Sequence, residues 1–206
     1  GPDITRTSYI EYPITTKIKT EFRDPNIQIP AILLGYRTPS QTERDAYVLD
    51  MISSYLSDGK SSKLFKKMVD EEKTAVQVFA FNVSQEDYGV YVVAGLPVGE
   101  NTLEKLVSQI DEEITKLQTD LISENDYQKL QNKFENSFVN SNSSLAGIAS
   151  SLTGYYLLYD DTSLINNEID IYRSITREEI MEVAAKYLNS NQRVELEYLP
   201  ETAASN

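Results

Sequence analysis

Neither histidine nor cysteine occurs anywhere in the 206 residues of this chain. That double absence constrains the fold before anything else, because no disulfide and no Cys/His zinc knot can staple it. Buried apolar surface and hydrogen bonds must hold the chain together. The same absence removes a Ser-His-Asp triad, a Cys-His pair and the side chain best suited to proton exchange near neutral pH. Carboxylates, lysine, tyrosine and hydroxyls remain, and carboxylates alone do run some hydrolases. A binding or scaffolding piece is expected ahead of a self-contained enzyme.

The length suits one sizeable domain or at most two small ones. With 40% hydrophobic and 25% charged residues, an ordinary globular core is within reach. No apolar run approaches the roughly 18 to 20 residues of a membrane span. The start, Gly1-Pro2-Asp3-Ile4, has no basic segment leading into an apolar stretch, so no signal peptide is read. Gly1 reads as a cleavage scar on a fragment of a longer protein, and no compartment is assigned. A formal charge of −13, from 32 acidic against 19 basic residues, repels phosphate backbones and anionic lipid. Nucleic acid and membrane surfaces are therefore not expected partners; the scattered charges read first as a solvated surface, and attraction of basic peptides ranks behind that.

Periodicity orders the chain. Residues 1–12 read as a linker or docking arm ending at Pro13, and 201–206 as a disordered tail. Ile14, Thr16, Ile18, Thr20 and Phe22 share one parity and predict a strand; Ile27 to Tyr36 predicts a second, with Pro30 inside it marking a bulge or an exposed N–H position. Ser40 with Glu43 fits a capping box for a helix carrying Val48, Ile52, Tyr55 and Leu56, stopped by Asp58-Gly59. A second helix is expected from Ser61 to about Glu72. The runs Ala75–Val83 and Tyr88–Leu96 flank a short polar joint and predict a hairpin. Leu103, Leu106, Val107, Ile110, Ile114 and Leu117 recur at helical spacing. Ser123 with Asp126 caps the next helix, the Asn140–Ser144 patch interrupts it, and Leu145 to Tyr159 resumes a helical pattern. Thr176 with Glu179 caps the last helix, and Val194, Leu196 and Tyr198 alternate with Arg193, Glu195 and Glu197 in a closing strand. This order predicts a single α+β domain over 13–200, a mostly antiparallel sheet with helices packed on one face.

Candidate chemistry is thin. Ser57-Asp58-Gly59-Lys60 matches S-x-x-K, but no S-D-N or K-T-G partner follows, and Asp58-Gly59 ends a helix that such a serine should begin. The acid pairs Glu71-Glu72, Glu112-Glu113, Asp160-Asp161 and Glu178-Glu179 diverge by about 100° on a helix, so solvated or capping roles are expected. Gly59-Lys60-Ser61-Ser62 lacks the earlier glycine of a phosphate loop, Ser54 standing there instead. Asn82-Val83-Ser84 and Asn142-Ser143-Ser144 fit the glycosylation acceptor pattern. No catalytic, metal-binding or substrate-binding residue is assigned.

Several motifs together carry a family resemblance. Gly59-Lys60-Ser61-Ser62-Lys63-Leu64-Phe65, the acidic helix end Asp70-Glu71-Glu72-Lys73 and the strand Ala75–Val83 follow in order. Ala31-Ile32-Leu33-Leu34-Gly35-Tyr36-Arg37-Thr38-Pro39 precedes them. Ile175-Thr176-Arg177-Glu178-Glu179-Ile180 and Ala185-Lys186-Tyr187-Leu188 close the pattern. Over about residues 14–200 the chain resembles the C-terminal-type, inactive domain of M16 zinc metallopeptidases, the family of pitrilysin, insulin-degrading enzyme and mitochondrial processing peptidase. The resemblance implies the family's half-domain fold and a zinc held by H-x-x-E-H on an N-terminal-type domain, in the same chain or in a partner subunit. This domain would then form part of a closed chamber around peptide substrate, with no cofactor of its own. Active members carry an Arg at the end of the short helix and a Tyr at the start of the next strand; aligned through Leu64-Phe65, those positions fall on Val69 and Val76. Neither side chain can donate a hydrogen bond to a peptide carbonyl. A partner could supply the pair, the chain could be the first half of a fused protein, or it could be an inactive assembly subunit like the core proteins of cytochrome bc1. A carboxylate or Ser57–Lys60 hydrolase is the remaining alternative.

Overall fold

A computed structural model describes residues 10–201 of the chain. The docking-arm expectation for residues 1–9 and the tail expectation for 202–206 lie outside the described residues. Five strands form one sheet: β1 (Ile18–Asp24), β2 (Ala31–Thr38), β3 (Ala75–Val83), β4 (Gly89–Pro97) and β5 (Val194–Pro200), in the spatial order β1-β5-β2-β4-β3. Only the β1–β5 pair is parallel; the other three pairs are antiparallel. Six α-helices accompany the sheet: α1 (Arg44–Ser57), α2 (Leu103–Thr119), α3 (Glu124–Ser141), α4 (Leu145–Tyr159), α5 (Leu164–Ser174) and α6 (Arg177–Tyr187). The architecture is α+β with a mostly antiparallel sheet, as the element order implied.

Alternation on the central strands decides where the core lies. Ile32, Leu34 and Tyr36 of β2 and Tyr91 and Val93 of β4 point to one side and are buried. They meet Val48, Leu49, Ile52 and Leu56 of α1, Leu106, Ile110 and Ile114 of α2, and Ile180, Val183 and Ala184 of α6 in one contiguous cluster. Three helix starts form as their sequences require. Ser123 accepts from the Asp126 amide, Ser144 from Gly147 and Thr176 from Glu179, each hydroxyl taking one of the orphan N–H groups of a first turn. Gly89 is compelled by crowding: a Cβ there would lie 2.5 Å from Thr38 Oγ1 and 2.8 Å from the Val83 carbonyl.

Some expectations are corrected. β1 begins at Ile18, not Ile14, because its ladder starts where β5 begins at Val194. Pro30 lies just before β2 rather than inside it, so it removes no ladder donor and no bulge forms. Ser40 does not cap α1. Its hydroxyl donates to the Glu86 carbonyl at 2.6 Å, tying the chain to the β3–β4 turn, and the helix starts at Arg44 with Glu43 as its N-cap. The helix expected at Ser61–Glu72 is a π-helical segment, Phe65–Glu71, closed by Glu72 N–H to the Lys67 carbonyl at 2.9 Å. α5 has no capping side chain at its start, which left it without a signal in the sequence.

The closing strand is turned opposite to common patterning. Arg193, just before β5, and Glu195 within it are buried on the helix side, while Val194, Leu196 and Tyr198 share the other face and stay half-buried. The Arg193 guanidinium is fully buried. It bonds Glu195 at 2.6 Å and 2.9 Å, the Tyr36 hydroxyl at 2.7 Å and both oxygens of Asp111 on α2. Lys17 adds a second cation to Glu195 at 2.9 Å. Burial alone would lower the Arg193 pKa, but the bonds to Asp111, Tyr36 and Glu195 outweigh it, and the group is held charged.

Candidate functional site

The side of the sheet away from the helices carries an apolar surface that no described element covers. Register places Phe79, Phe81 and Val83 of β3 beside Ala94, Val92 and Val90 of β4 on that face. Ile18 and Phe22 of β1 extend it at the far edge, Phe22 stacking on Tyr198 at 5.6 Å. Ile18, Phe22, Phe79, Phe81, Val83 and Val90 are each more than a third exposed. An apolar sheet face left open to this extent marks a contact surface. The described end of the N-terminal segment reaches it, Glu11 pairing with Arg37 at 2.5 Å. α4 packs only loosely: Tyr155 and Tyr159 bond Glu168, Tyr47 and Gln41, while Leu145, Tyr156 and Leu157 on it are exposed.

A cavity of about 480 Å³ opens at the outer edge of β3, between α1 and α3. Phe79 and Phe81 line it and also belong to the open face, so the two features are continuous. Lys133 of α3 reaches across one end, donating to Ser54 Oγ at 2.7 Å and pairing with Asp58. Asp50 of α1 lies at the other end. It accepts from Asn82 Nδ2 at 3.3 Å, and burial pushes its carboxyl up to about 6, against the lowering bonds from Asn82 and Tyr172. Asp50 and Lys133 belong to none of the motifs in the sequence. The available signal was a carboxylate set within the run Leu49, Met51 and Ile52, all fully buried.

The residues singled out in the sequence do not converge. Ser57 is not a free nucleophile: its hydroxyl donates to the Ala80 carbonyl at 2.9 Å and accepts from the Ala80 amide at 2.7 Å. Gly59 takes φ +79° and its carbonyl receives both the amide and the hydroxyl of Ser62, so this stretch is a tight turn. The acid pairs serve local roles. Glu112 and Glu113 hold Lys67 and Lys116, Glu179 holds Arg44 at 2.5 Å and 2.9 Å, and Asp161 accepts from the Ser163 amide. Asn82 is bound to Asp50, Ser84 and Thr38 and is not presented as a glycan acceptor. Val69 packs partly buried against the core, and Val76 is the extra residue of a β3 bulge, half exposed.

These elements define a helix-backed, mostly antiparallel α+β domain with one apolar sheet face that no described element covers. The chain belongs to the M16 peptidase inactive-domain family, whose model matches residues 4–134. It is 25% identical over 166 residues to the zinc protease PqqE of Helicobacter pylori, covering 81% of this chain and 37% of that protein. A protease from Helicobacter pylori has the same fold, with a TM-score of 0.86 at 22% identity over 95% of this chain and 47% of its own. An inactive peptidase domain from Bordetella parapertussis matches with a TM-score of 0.76 at 19% identity, covering 90% of this chain and 97% of that one. The chain thus spans less than half the length of both Helicobacter pylori proteins.

Zinc, which the name of that relative implies, does not fit the residues present. The chain has neither His nor Cys, and among the described residues no three His, Cys, Asp or Glu side chains gather as a metal site requires.

Proposed function

We propose that this domain forms one wall of a closed chamber that encloses extended peptides for a zinc peptidase centre carried elsewhere. That centre would sit on an N-terminal-type H-x-x-E-H domain, in the same polypeptide or in a partner subunit. The observation that carries this reading is the uncovered apolar sheet face, a surface of the kind that contacts other polypeptide. The greater length of the Helicobacter pylori proteins supports it, since they contain more chain than this domain.

Val69 and Val76 favour a second form of the same reading. Neither carries a polar atom, so this domain would not clamp a transition state, and an assembly subunit without turnover is the variant of the proposal they support. One experiment separates the outcomes. The purified chain, given excess zinc and quenched fluorescent peptides, is expected to show no turnover. Adding an H-x-x-E-H half is expected to yield chelator-sensitive cleavage, whereas a stable complex without cleavage selects the assembly form. Chelator-sensitive turnover by the chain alone would overturn both.

A further inference from the structure

The β3-edge cavity has a chemistry of its own. Its volume of about 480 Å³ falls in the range of ligand sites, roughly 300–1,000 Å³. Two carboxylates and one lysine line it, and they are not arranged evenly. Lys133 is committed to Asp58 and Ser54 at one end. Asp50 at the other end receives an amide from Asn82, and among the described residues no lysine or arginine pairs with it. Glu168 of α5, bonded to the Tyr155 hydroxyl at 2.6 Å, adds a second negative charge behind Asp50 without a described cation partner of its own. Phe79, Phe81 and Phe134 supply aromatic walls.

We propose that this cavity is a subsite for a basic side chain, arginine or lysine, of a peptide lying along the uncovered sheet face. The inference rests on the peptide-enclosing reading above and names the side chain that one part of the wall takes. The aliphatic stem packs on Phe79 and Phe81, whose faces also attract a cation. The charged head reaches Asp50, where a hydrogen-bonded ion pair forms out of bulk water. Ser137 stands exposed at the mouth. Strand addition at Ala80 is excluded, because Ser57 already holds both its backbone groups, so the peptide contributes a side chain rather than a ladder.

Two further observations fit. Burial raises the Asp50 pKa to about 6, so its charge is carried near neutral pH at a cost that a bound cation would remove. The net charge of −13 draws basic peptides toward the domain as a whole.

The test uses the 206-residue chain and isothermal titration with three blocked pentapeptides, Ala-Ala-Xaa-Ala-Ala, where Xaa is arginine, lysine or the neutral isostere citrulline. The two basic peptides are expected to bind at least about tenfold tighter than the citrulline peptide. Asp50→Asn should erase that preference while its melting temperature stays at or above the parent's. Ser137→Lys, which sets a fixed cation at the mouth, should weaken the basic peptides and spare citrulline. Binding should also weaken below about pH 6, as Asp50 takes up a proton. The groups facing it are Lys133 from α3, Tyr91 from β4, Tyr159 from α4 and Glu168 and Tyr172 from α5. The amide of Asn82 faces it from β3. Equal affinity for arginine and citrulline, no binding at millimolar peptide, or a preference that survives Asp50→Asn would each overturn the subsite. The assay contains neither zinc nor a second domain, so its failure leaves the chamber reading standing. Conversely, failed reconstitution of cleavage leaves a measured subsite standing.

Discussion

The Ser57 hydroxyl closes both outward backbone groups of Ala80, donating to its carbonyl at 2.9 Å and accepting from its amide at 2.7 Å. Ala80 lies on β3, the edge strand of the sheet, where unpaired backbone groups invite another chain to add. One side chain at the last turn of α1 thus seals the middle of an edge and anchors the helix to it. Ser57→Ala should lower stability by about 1–2 kcal/mol, the cost of leaving partly buried polar groups without partners. It should also increase self-association. Urea unfolding and size-exclusion chromatography measure both; a variant as stable and as monomeric as the parent would contradict the role.

Arg193 is the buried charge on which β2, α2 and β5 converge. Arg193→Met would leave Asp111 and Glu195 without their guanidinium and should cost about 3–5 kcal/mol in urea unfolding. Arg173, which pairs with Glu135 and Asp170 at the surface, makes the contrast. Arg173→Ala should be too small a change to resolve in the same titration, because solvent screens exposed pairs. Equal losses from the two substitutions would remove the distinction.

Asp50 should act on stability with a defined sign. Its folded pKa of about 6 lies above the ordinary 3.8, so between about pH 4 and pH 6 the folded state holds more protons than the unfolded one. Over that window this group's contribution to stability falls as pH rises, and the penalty is constant above it. Asp50→Asn keeps the shape without the charge and should gain on the order of 2 kcal/mol at pH 7.5. The gain should shrink toward zero near pH 4. A gain independent of pH, or a loss at pH 7.5, would show that burial does not govern this carboxyl.

The open sheet face should matter to association and little to folding. Ile18→Lys with Val90→Lys places charges on two exposed positions at opposite parts of that face. Thermal unfolding should move by no more than about 1 kcal/mol equivalent. Complex formation with the H-x-x-E-H half, followed by analytical ultracentrifugation, should be lost. An intact complex would mean that another surface, such as α4, makes the contact.

Much of the fold was legible because its signals are local. The long α2 stripe from Leu103 to Leu117, the hairpin flanking Ser84–Asp87 and the caps at Ser123 and Thr176 are each written within a few residues. Ser40 misled because a capping motif specifies only an available oxygen, and the turn carbonyl of Glu86 took it instead. The cavity was hidden for a related reason. Its residues come from positions 50–58, 79–81 and 133–137, and nothing short-range links them.

By itself, the sequence determined the α+β order of elements, the family resemblance and the lack of histidine and cysteine. Composition and periodicity are properties of neighbours along the chain and need no packing to be read. Only the tertiary structure decided which side of each strand became interior. Val194, Leu196 and Tyr198 would pass for a core face, yet they stand on the open side, and Arg193 is buried because Asp111, Tyr36 and Glu195 meet around it. A strand's alternation distinguishes two faces; what other elements bring to each face settles which of them meets water.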